Sequence, residues 1–508
     1  MLRSTFLGYK TATSALKVNQ NHMDVTGQNI SNINTKGYTR QRLDISSLSF
    51  NTSNMKFGST GVVIGQGVEA NGVSQFRDAF LDLRYRIEAA KSGSEYVQLE
   101  ALSDLESVFD EISMDKLDAQ FSDLAVQLHS LTSSPSDPVM EGVVRTSAEM
   151  LTQMLNDYSR DIETIYEQQL SYLENGAVQK INELTKNIAK LNQQIKESNI
   201  SDNPALELND ERNMLIDELS NYIDIEVDII PLPIGGGKTI DELVIRLSGE
   251  DYELVNRNNG NSIDIKEDDL IKIELTDLTD TLDITNSIKG GQIDGYLKFL
   301  NGKGEFATAA DTVIYEKAAE VKGVQYYSNM IDTLAKQFAT VMNTLNTTAS
   351  GVNKPLFQNR DGIDITAGNI KIHDDWASST ESYIVNTTGT LPGDDTGATD
   401  NILRMINAFN TDKTFSTGSV DLFKGTFQEF LSYTTTKLNL QTADVQISYD
   451  TYSETQFHID YARSSMSSVD LNEEGVNLLQ YSKSYNAAAR LMTTLDEMLE
   501  TLINRMGV

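Results

Sequence analysis

The sequence predicts a mainly α protein. We expect long terminal helices pairing as a coiled coil, an all-helical second domain of long antiparallel helices, and β-rich inserted outer domains. Three observations predict this fold class. Heptad-spaced stripes occur near both ends, helical periodicity returns in long stretches between them, and two intervening segments lose that periodicity. At 508 residues the chain is too long for one core, so several domains are expected.

The N-terminal stripe follows alternating steps of four and three residues, which is the a/d pattern of a coiled coil. It runs through Leu2, Phe6, Tyr9, Thr13, Leu16, Gln20, Met23, Gly27 and Ile30. The helix is expected to end before Gly37, which permits a turn. Four side chains just before that glycine compete for backbone hydrogen bonds. They are Asn29, Ser31, Asn32 and Asn34.

The C-terminal stripe keeps the same alternation with fewer interruptions. It comprises Leu478, Tyr481, Tyr485, Ala488, Met492, Leu495, Leu499 and Leu502. Asp470 or Asn472 could cap this helix, and Glu473 and Glu474 would lie near its positive end. An isolated stripe of this kind needs an apolar partner, and the nearest is the other end of the chain. The pattern alone fits an ordinary core helix at each end equally well.

Between the ends, helical periodicity predicts a core domain in three pieces. The first piece includes a Gly-rich, hairpin-forming stretch at 50–75, a long helical reach at 139–198 and a shorter helix at 207–223. The terminal segments 1–50 and 465–508 are expected to form an inner coiled-coil domain. The three core pieces are 51–223, 288–349 and 426–464.

Two inserts interrupt the helical core. Residues 224–287 alternate between apolar and polar side chains in three runs, 223–230, 242–249 and 270–277, and are predicted to form a small β-rich insert. Residues 350–425 are polar, rich in Gly and Thr, and are predicted to form strands and loops. Whether this second insert folds independently stays open.

Composition restricts the function. The net charge of −33 repels nucleic acid and anionic membranes, so neither is an expected partner. The absence of cysteine excludes disulfides, thiol catalysis and cysteine-ligated zinc. No run approaches the roughly 18 apolar residues of a membrane helix. The first twenty residues also lack the continuous apolar region and cleavage site of a conventional signal peptide.

No catalytic, cofactor-binding or metal-binding site is predicted. The histidines His22, His129, His373 and His458 are scattered and form no metal-ligand spacing. The run GGGKT at 235–239 lacks the earlier glycine of a phosphate-binding loop, because Leu232 occupies that position. The run NRDGIDI at 359–365 lacks the carboxylate series of a calcium loop. We therefore expect a protein that is not an enzyme and needs no cofactor.

Both ends resemble one family. Residues 29–41, NISNINTKGYTRQ, are similar to the N-terminal signature of bacterial flagellar axial proteins, which comprise rod, hook and hook-associated proteins. The run from Val469 resembles the matching C-terminal signature. The residues GYTRQ at 37–41 favour the hook-associated members, since hook and rod proteins usually carry Gly-Phe there. Lys36 departs from the proline that the family commonly has, which leaves the turn less rigid.

Internal segments support the same resemblance. Four stretches look like the helical domain of a hook-associated protein, namely 57–88, 131–145, 207–220 and 290–300. The resemblance thus covers both ends and most of the helical core, and becomes weak in the two inserts.

The resemblance implies a structural subunit of the bacterial flagellum, secreted without a cleavable signal peptide, at the ring between hook and filament. Its implied partner on one side is hook protein. On the other side the implied partner is either the second junction protein, which is hook-associated protein 3, or the filament. Copies of the chain would associate in the ring, and a flagellar export chaperone would bind the C-terminal region. The alternatives are another axial subunit of the hook or distal rod, and a secreted surface-binding adhesin.

The implied mechanism is coupled folding and association, in which the terminal stripes become buried during assembly. The predicted subunit-interaction residues lie in the two stripes and the signature turn. They are Leu2, Phe6, Leu16, Met23, Ile30, Asn32, Asn34, Gly37, Tyr38, Leu478, Tyr481, Tyr485, Ala488, Met492, Leu495, Leu499 and Leu502.

Overall fold

The computed structural model describes residues 5–48, 67–111, 114–201, 203–235, 238–277, 280–348, 351–362, 364–389, 397–418 and 420–505. Its helices are α1 (Thr5–Ser31), α2 (Ala79–Glu111), α3 (Met114–Leu131), α4 (Pro138–Tyr172), α5 (Gln179–Ile200), α6 (Leu206–Tyr222), α7 (Gln292–Asn301), α8 (Ala309–Ile314), α9 (Val324–Leu345), α10 (Asp374–Ser378), α11 (Asp400–Phe409), α12 (Phe427–Ser467) and α13 (Leu471–Arg505). The mainly α architecture predicted from the sequence is confirmed.

The strands form small antiparallel sheets. They are β1 (Gln41–Ser47), β2 (Val68–Gln75), β3 (Ile225–Gly235), β4 (Lys238–Leu247), β5 (Glu253–Asn256), β6 (Asn259–Gly260), β7 (Ser262–Glu267), β8 (Ile271–Thr276), β9 (Thr281–Asp283), β10 (Phe357–Asn359), β11 (Ile370–Ile372), β12 (Lys413–Thr417) and β13 (Val420–Gly425). The hairpin of β1 and β2 lies beside α1, where the Val68 amide donates to Ser14 Oγ at 3.4 Å. The stretch 49–66, which covers much of the predicted hairpin tip, lies outside the described residues.

Long helices form the body of the protein. The predicted helical reach at 139–198 is confirmed, because α4 and α5 are joined through a π-helical turn, Leu173–Val178, without a break. Asp137 caps α4 by accepting the Val139 amide, and Pro138 occupies the first helical position, where it loses no hydrogen bond. Helices α2 and α12 run antiparallel, with Tyr96 against Tyr449 and Asp82 against Arg463.

The first insert is packed against the helical body. Its strands form two sheets, one of β3 to β6 and one of β7 to β9. Asn182 of α5 exchanges two hydrogen bonds of 2.8 Å with the backbone of Ile263. The three predicted strand runs correspond to β3, β4 and β8. The sequence did not indicate β5, β6, β7 and β9, of which three are only two to four residues long.

The second insert contains a helix that the sequence did not indicate. We expected strands and loops, but α11 buries Ile402, Met405 and Phe409 on one face. The Phe409 ring lies 6.4 Å from that of Phe121 on α3. These apolar residues are too few to make residues 350–425 apolar in overall composition. Because they recur every three or four residues, they nevertheless form one apolar face that packs α11 against the core.

A buried carboxylate also attaches this insert to α4. Glu141 Oε1 accepts the indole N–H of Trp376 at 2.8 Å, and Glu141 Oε2 accepts the hydroxyl of Ser382 at 2.8 Å. The Tyr383 amide donates to the same carboxylate. Residues 376–383 are therefore anchored to α4 by side-chain and backbone donors that converge on one acid.

Candidate assembly site: the terminal helix pair

Helices α1 and α13 pack side by side as an antiparallel pair. Three of the contacts between them are Gly8 with Leu495, His22 with Tyr481, and Asn29 with Glu474. From one of these contacts to the next, the residue number rises by 14 and then 7 along α1 and falls by 14 and then 7 along α13, which is heptad spacing. The rings of His22 and Tyr481 stack with centroids 4.3 Å apart, and burial lowers the pKa of His22.

The contacts identified on each helix form its contact line, and those on α1 lie one residue before Tyr9, Met23 and Ile30 of the predicted stripe. His22 makes the stacking contact and Asn29 makes the hydrogen bond. Apolar periodicity did not select these residues because they are polar, and the interaction role of the stripe residues stays a prediction. On α13 the predicted stripe does include the contacting residues, Tyr481 and Leu495.

Asn29 is the central residue at the end of α1. We expected it to help end the helix, but its buried side chain binds three other parts of the chain. Its Oδ1 accepts the Gln41 amide and the Tyr38 hydroxyl, both at 3.0 Å. Its Nδ2 donates to the Gln41 carbonyl at 2.9 Å and to Glu474 Oε2 at 3.2 Å. The amide thus joins α1, β1 and α13 and satisfies its own buried donors and acceptors.

The first turn of α13 supplies the charge partners. Of the two cap residues that the sequence offered, Asp470 caps the helix by accepting the amides of Asn472 and Glu473. Arg40 Nε donates to Glu474 Oε1 at 2.8 Å, and both terminal nitrogens of Arg40 donate to Glu473. The Glu474 side chain is 3% exposed and that of Glu473 is 56% exposed. One acid of the pair is therefore a buried anchor and the other a surface partner.

The turn between α1 and β1 is attached to α6 as well. The Thr39 amide donates to Asp210 Oδ2 at 2.9 Å, and burial raises the pKa of Asp210, which this hydrogen bond opposes. Burial, followed by the nearby Glu207 charge, raises the pKa of Tyr38. Gly37 has φ +79°, and a Cβ there would lie 2.0 Å from the Met214 sulfur. Only glycine fits this position without strain.

An ionic network behind the turn connects α2, α6 and α12. Arg463 Nη1 of α12 pairs with Asp217 Oδ2 of α6 at 2.5 Å, and Arg86 Nε of α2 binds the other oxygen of Asp217 at 2.8 Å. The Arg463 guanidinium also lies 4.0 Å from the centre of the Tyr85 ring. Since α12 leads directly into α13, this network fixes the base of the terminal pair to the body.

The hydrogen bonds and ion pairs among Asn29, Arg40 and Glu474 form a separate set of contacts, which we name the clasp.

The structure brings most of the predicted interaction residues onto the helix pair without fully burying them. Ala488 is buried and Leu478 is 37% exposed, whereas Asn34 and Gly37 are exposed in the turn. Leu2 and the side chains of Phe6 and Leu502 lie outside the described residues. The remaining predicted residues are half-buried, and they are Leu16, Met23, Ile30, Asn32, Tyr38, Tyr481, Tyr485, Met492, Leu495 and Leu499.

Sequence reasoning did not identify the clasp. Its signal was nevertheless present, since Arg40 lies in the signature turn and two acids open the C-terminal helix. In the part of the chain that the structure describes, no cluster of three or more His, Asp or Glu residues is arranged for a metal ion. Nor does any described helix combine the length and apolarity that a membrane span requires.

Comparison with known families matches the same regions. The family model for the flagellar hook-associated protein FlgK helical domain matches residues 102–359, slightly more than half of the chain. The model for the flagella basal body rod protein matches residues 10–39. The model for the flagellar basal body rod FlgEFG protein C-terminal region matches residues 463–506. The two shorter matches coincide with the terminal pair and the turn.

Individual relatives extend over the whole chain. Flagellar hook-associated protein 1 of Bacillus subtilis is 28% identical over 100% of this chain and 99% of its own length. That of Salmonella typhimurium is 22% identical over 97% of this chain and 98% of its own length. The solved flagellar hook junction protein FlgK of Burkholderia pseudomallei shares the fold, with a TM-score of 0.56 and 12% identity. It aligns over 75% of this chain and 100% of its own.

Proposed function

Because the chain belongs to the flagellar hook-associated protein FlgK family, we propose that it is a structural subunit of the bacterial flagellum at the junction between hook and filament. The observation that carries this proposal is the clasped terminal pair, whose apolar stripes remain half-exposed in the single chain. Such stripes become fully buried only against another subunit. The pair is thus organised for association and not for chemistry on a small molecule.

The proposed mechanism is coupled folding and association of the terminal segments 1–50 and 465–508. Burying a Leu, Met or Ile side chain completely contributes ~1.5–3 kcal/mol, and the half-buried stripe residues retain part of this gain for assembly. Ordering the helices opposes it. The contacts within one chain favour the pair, and contacts between chains supply the remaining driving force.

The finer proposals follow from family membership. Copies of the chain would form a ring, with hook protein on one side and hook-associated protein 3 or filament on the other. An export chaperone would hold the C-terminal region before assembly, and export would need no cleavable signal peptide. The acidic, helical body would stay outside the terminal domain, with residues 224–287 and 350–425 further out.

Truncation tests the proposal. A chain ending at Glu497 loses the last turns of α13 and should fail to join hook to filament, while circular dichroism shows a folded body. Leu440→Ser, at an exposed position of α12, is the control and should incorporate normally. If the truncated chain still built functional junctions in cells, the proposed mechanism would be wrong.

A binding assay separates the junction role from that of another axial subunit. Purified chain mixed with isolated hooks should add a single layer at the hook end, visible by electron microscopy. A continuing tube would instead indicate a hook-type or rod-type polymerising subunit.

A further inference from the structure

Charge is divided unequally along the chain. Residues 1–50 and 465–508 together carry 9 basic and 8 acidic residues, whereas residues 51–464 carry 32 basic and 66 acidic residues. The acidic bodies of two copies therefore repel each other. The nearly neutral terminal pair has no such barrier, so it is the part of the chain best suited to close contact with a second copy.

Half of each predicted stripe lies on one face of the helix pair. On α1 this half is Tyr9, Leu16, Met23 and Ile30, which follow the contact line by one residue, as Met23 follows His22. On α13, where the other half of the stripe is the contact line, Leu478, Tyr485, Met492 and Leu499 follow that line by four residues, as Tyr485 follows Tyr481. In an antiparallel pair of right-handed helices, both offsets rotate towards the same side. We call this side the open face; the β1–β2 hairpin contacts α1 through Ser14, on the other side of the contact line.

A second apolar surface lies on α13, across the contact line from the open face. Met498 follows the contact residue Leu495 by three positions, which rotates it to the side opposite Tyr485, and Leu491 lies seven residues before Met498 on the same side. The side chains of Leu491 and Met498 are 49% and 54% exposed, so apolar surface stays uncovered there in the single chain. We call this surface the outer edge, and it comprises Leu491 and Met498.

We propose that the outer edge of α13 in one copy packs on the open face of the terminal pair in the next copy. This rests on the proposed function and names the surfaces through which the subunits meet. The two surfaces differ, so the contact is heterologous and can repeat around a ring. Charges complement the apolar match: the exposed Lys10 and Lys17 directly follow Tyr9 and Leu16, and the exposed Glu497 precedes Met498.

Cysteine cross-linking tests the proposal cleanly, because the chain contains no cysteine of its own. Two single variants, Leu16→Cys and Leu491→Cys, are expressed together, and assembled flagella are treated with copper phenanthroline. We expect a covalent dimer that contains one chain of each variant. Neither variant alone should form it, and neither should Leu16→Cys combined with Leu440→Cys as the matched exposed control.

Other cross-links would overturn the proposal. A dimer from Leu16→Cys alone or Leu491→Cys alone would show a two-fold contact between like surfaces. A cross-link to hook protein or to another flagellar protein, or no cross-link between incorporated variants, would mean that a second copy does not cover these surfaces.

A charged substitution gives an independent measurement. Leu491→Glu should reduce incorporation into the junction at least tenfold, and Leu440→Glu should leave it unchanged, since both leucines are exposed in the single chain. If the chain ending at Glu497 fails to assemble but Leu491→Glu assembles normally, the proposed function stands and the outer-edge contact is refuted.

Discussion

Glu474 should control the stability of the terminal pair far more than its neighbour Glu473. Both acids contact Arg40, but only Glu474 is buried and also accepts from Asn29. We consider Glu474→Gln, which keeps the shape and one acceptor oxygen but removes the charge. The matched change, Glu473→Gln, alters the same chemistry one residue away at the surface.

The expected magnitude follows from the hydrogen bonds that the substitution removes. A hydrogen bond to a charged group contributes about 1.5–3 kcal/mol, and the new amide can match only one of the two donors that face it. Arg40 keeps its bonds to Glu473, so we expect a loss within this range and not the larger penalty of a fully unpaired buried charge. Exposed ion pairs contribute about 0–1 kcal/mol, which sets the expectation for Glu473→Gln.

Amide hydrogen exchange by mass spectrometry measures the effect where it occurs. Opening of α13 should become roughly 10- to 150-fold faster in Glu474→Gln, because each 1.4 kcal/mol corresponds to a factor of ten. Exchange in α4 and α9, within the body, should not change. Similar rates in both variants, or a change in Glu474→Gln below threefold, would refute the assignment of the clasp as the element that closes the pair.

Three further predictions concern other positions. Burial lowers the pKa of His22, so the unfolded helix pair binds more protons than the folded pair. The free energy of opening the pair should therefore fall as pH drops below about 6.5, the ordinary pKa of histidine. Amide exchange should show this pH dependence, and His22→Gln should remove it. Gly37→Ala should destabilise the protein by roughly 1–2 kcal/mol, because Gly37 has a positive φ that alanine disfavours. Gly27→Ala should stabilise it by roughly 0.5–1 kcal/mol, because Gly27 lies within α1 and a Cβ there meets no neighbouring atom. Chemical denaturation would measure both changes in the free energy of unfolding. Glu141→Ala should release Trp376, the only tryptophan, and shift its fluorescence to longer wavelength, unlike the exposed-site control Glu149→Ala.

Long periodic segments were the most predictable part of the fold. Spacing alone predicted the helical reach at 139–198, because that reach presents one continuous apolar face. Alternation alone predicted the three strand runs that form β3, β4 and β8. Helix α11 was not predicted, since its burial depends on ring contacts with α3 and α9 that lie far away in sequence. Composition identified a polar segment and could not show where its few apolar residues would pack.

The terminal site shows a different limit. Periodicity located both helices and the turn, but the contact line of α1 consists of small and polar residues that no apolar pattern selects. Asn29 is buried because Glu474 and Gln41 complete its hydrogen bonds, and these partners lie 445 and 12 residues away. Such a site depends on which distant polar groups meet, and a single sequence does not specify this.

The ionic network behind the turn also determines how force on α13 is transmitted to the body. Helix α12 has 41 residues and is about 60 Å long, and only three residues separate it from α13. Tension or torque on α13 therefore enters the body along a stiff rod whose end is braced by Arg463 and by the Arg40 amide on the Ser467 carbonyl. The side chains of Arg463 and Asp217 are only 17% and 12% exposed, and added salt screens buried ion pairs much less than surface pairs, so this joint should stay stiff as ionic strength rises.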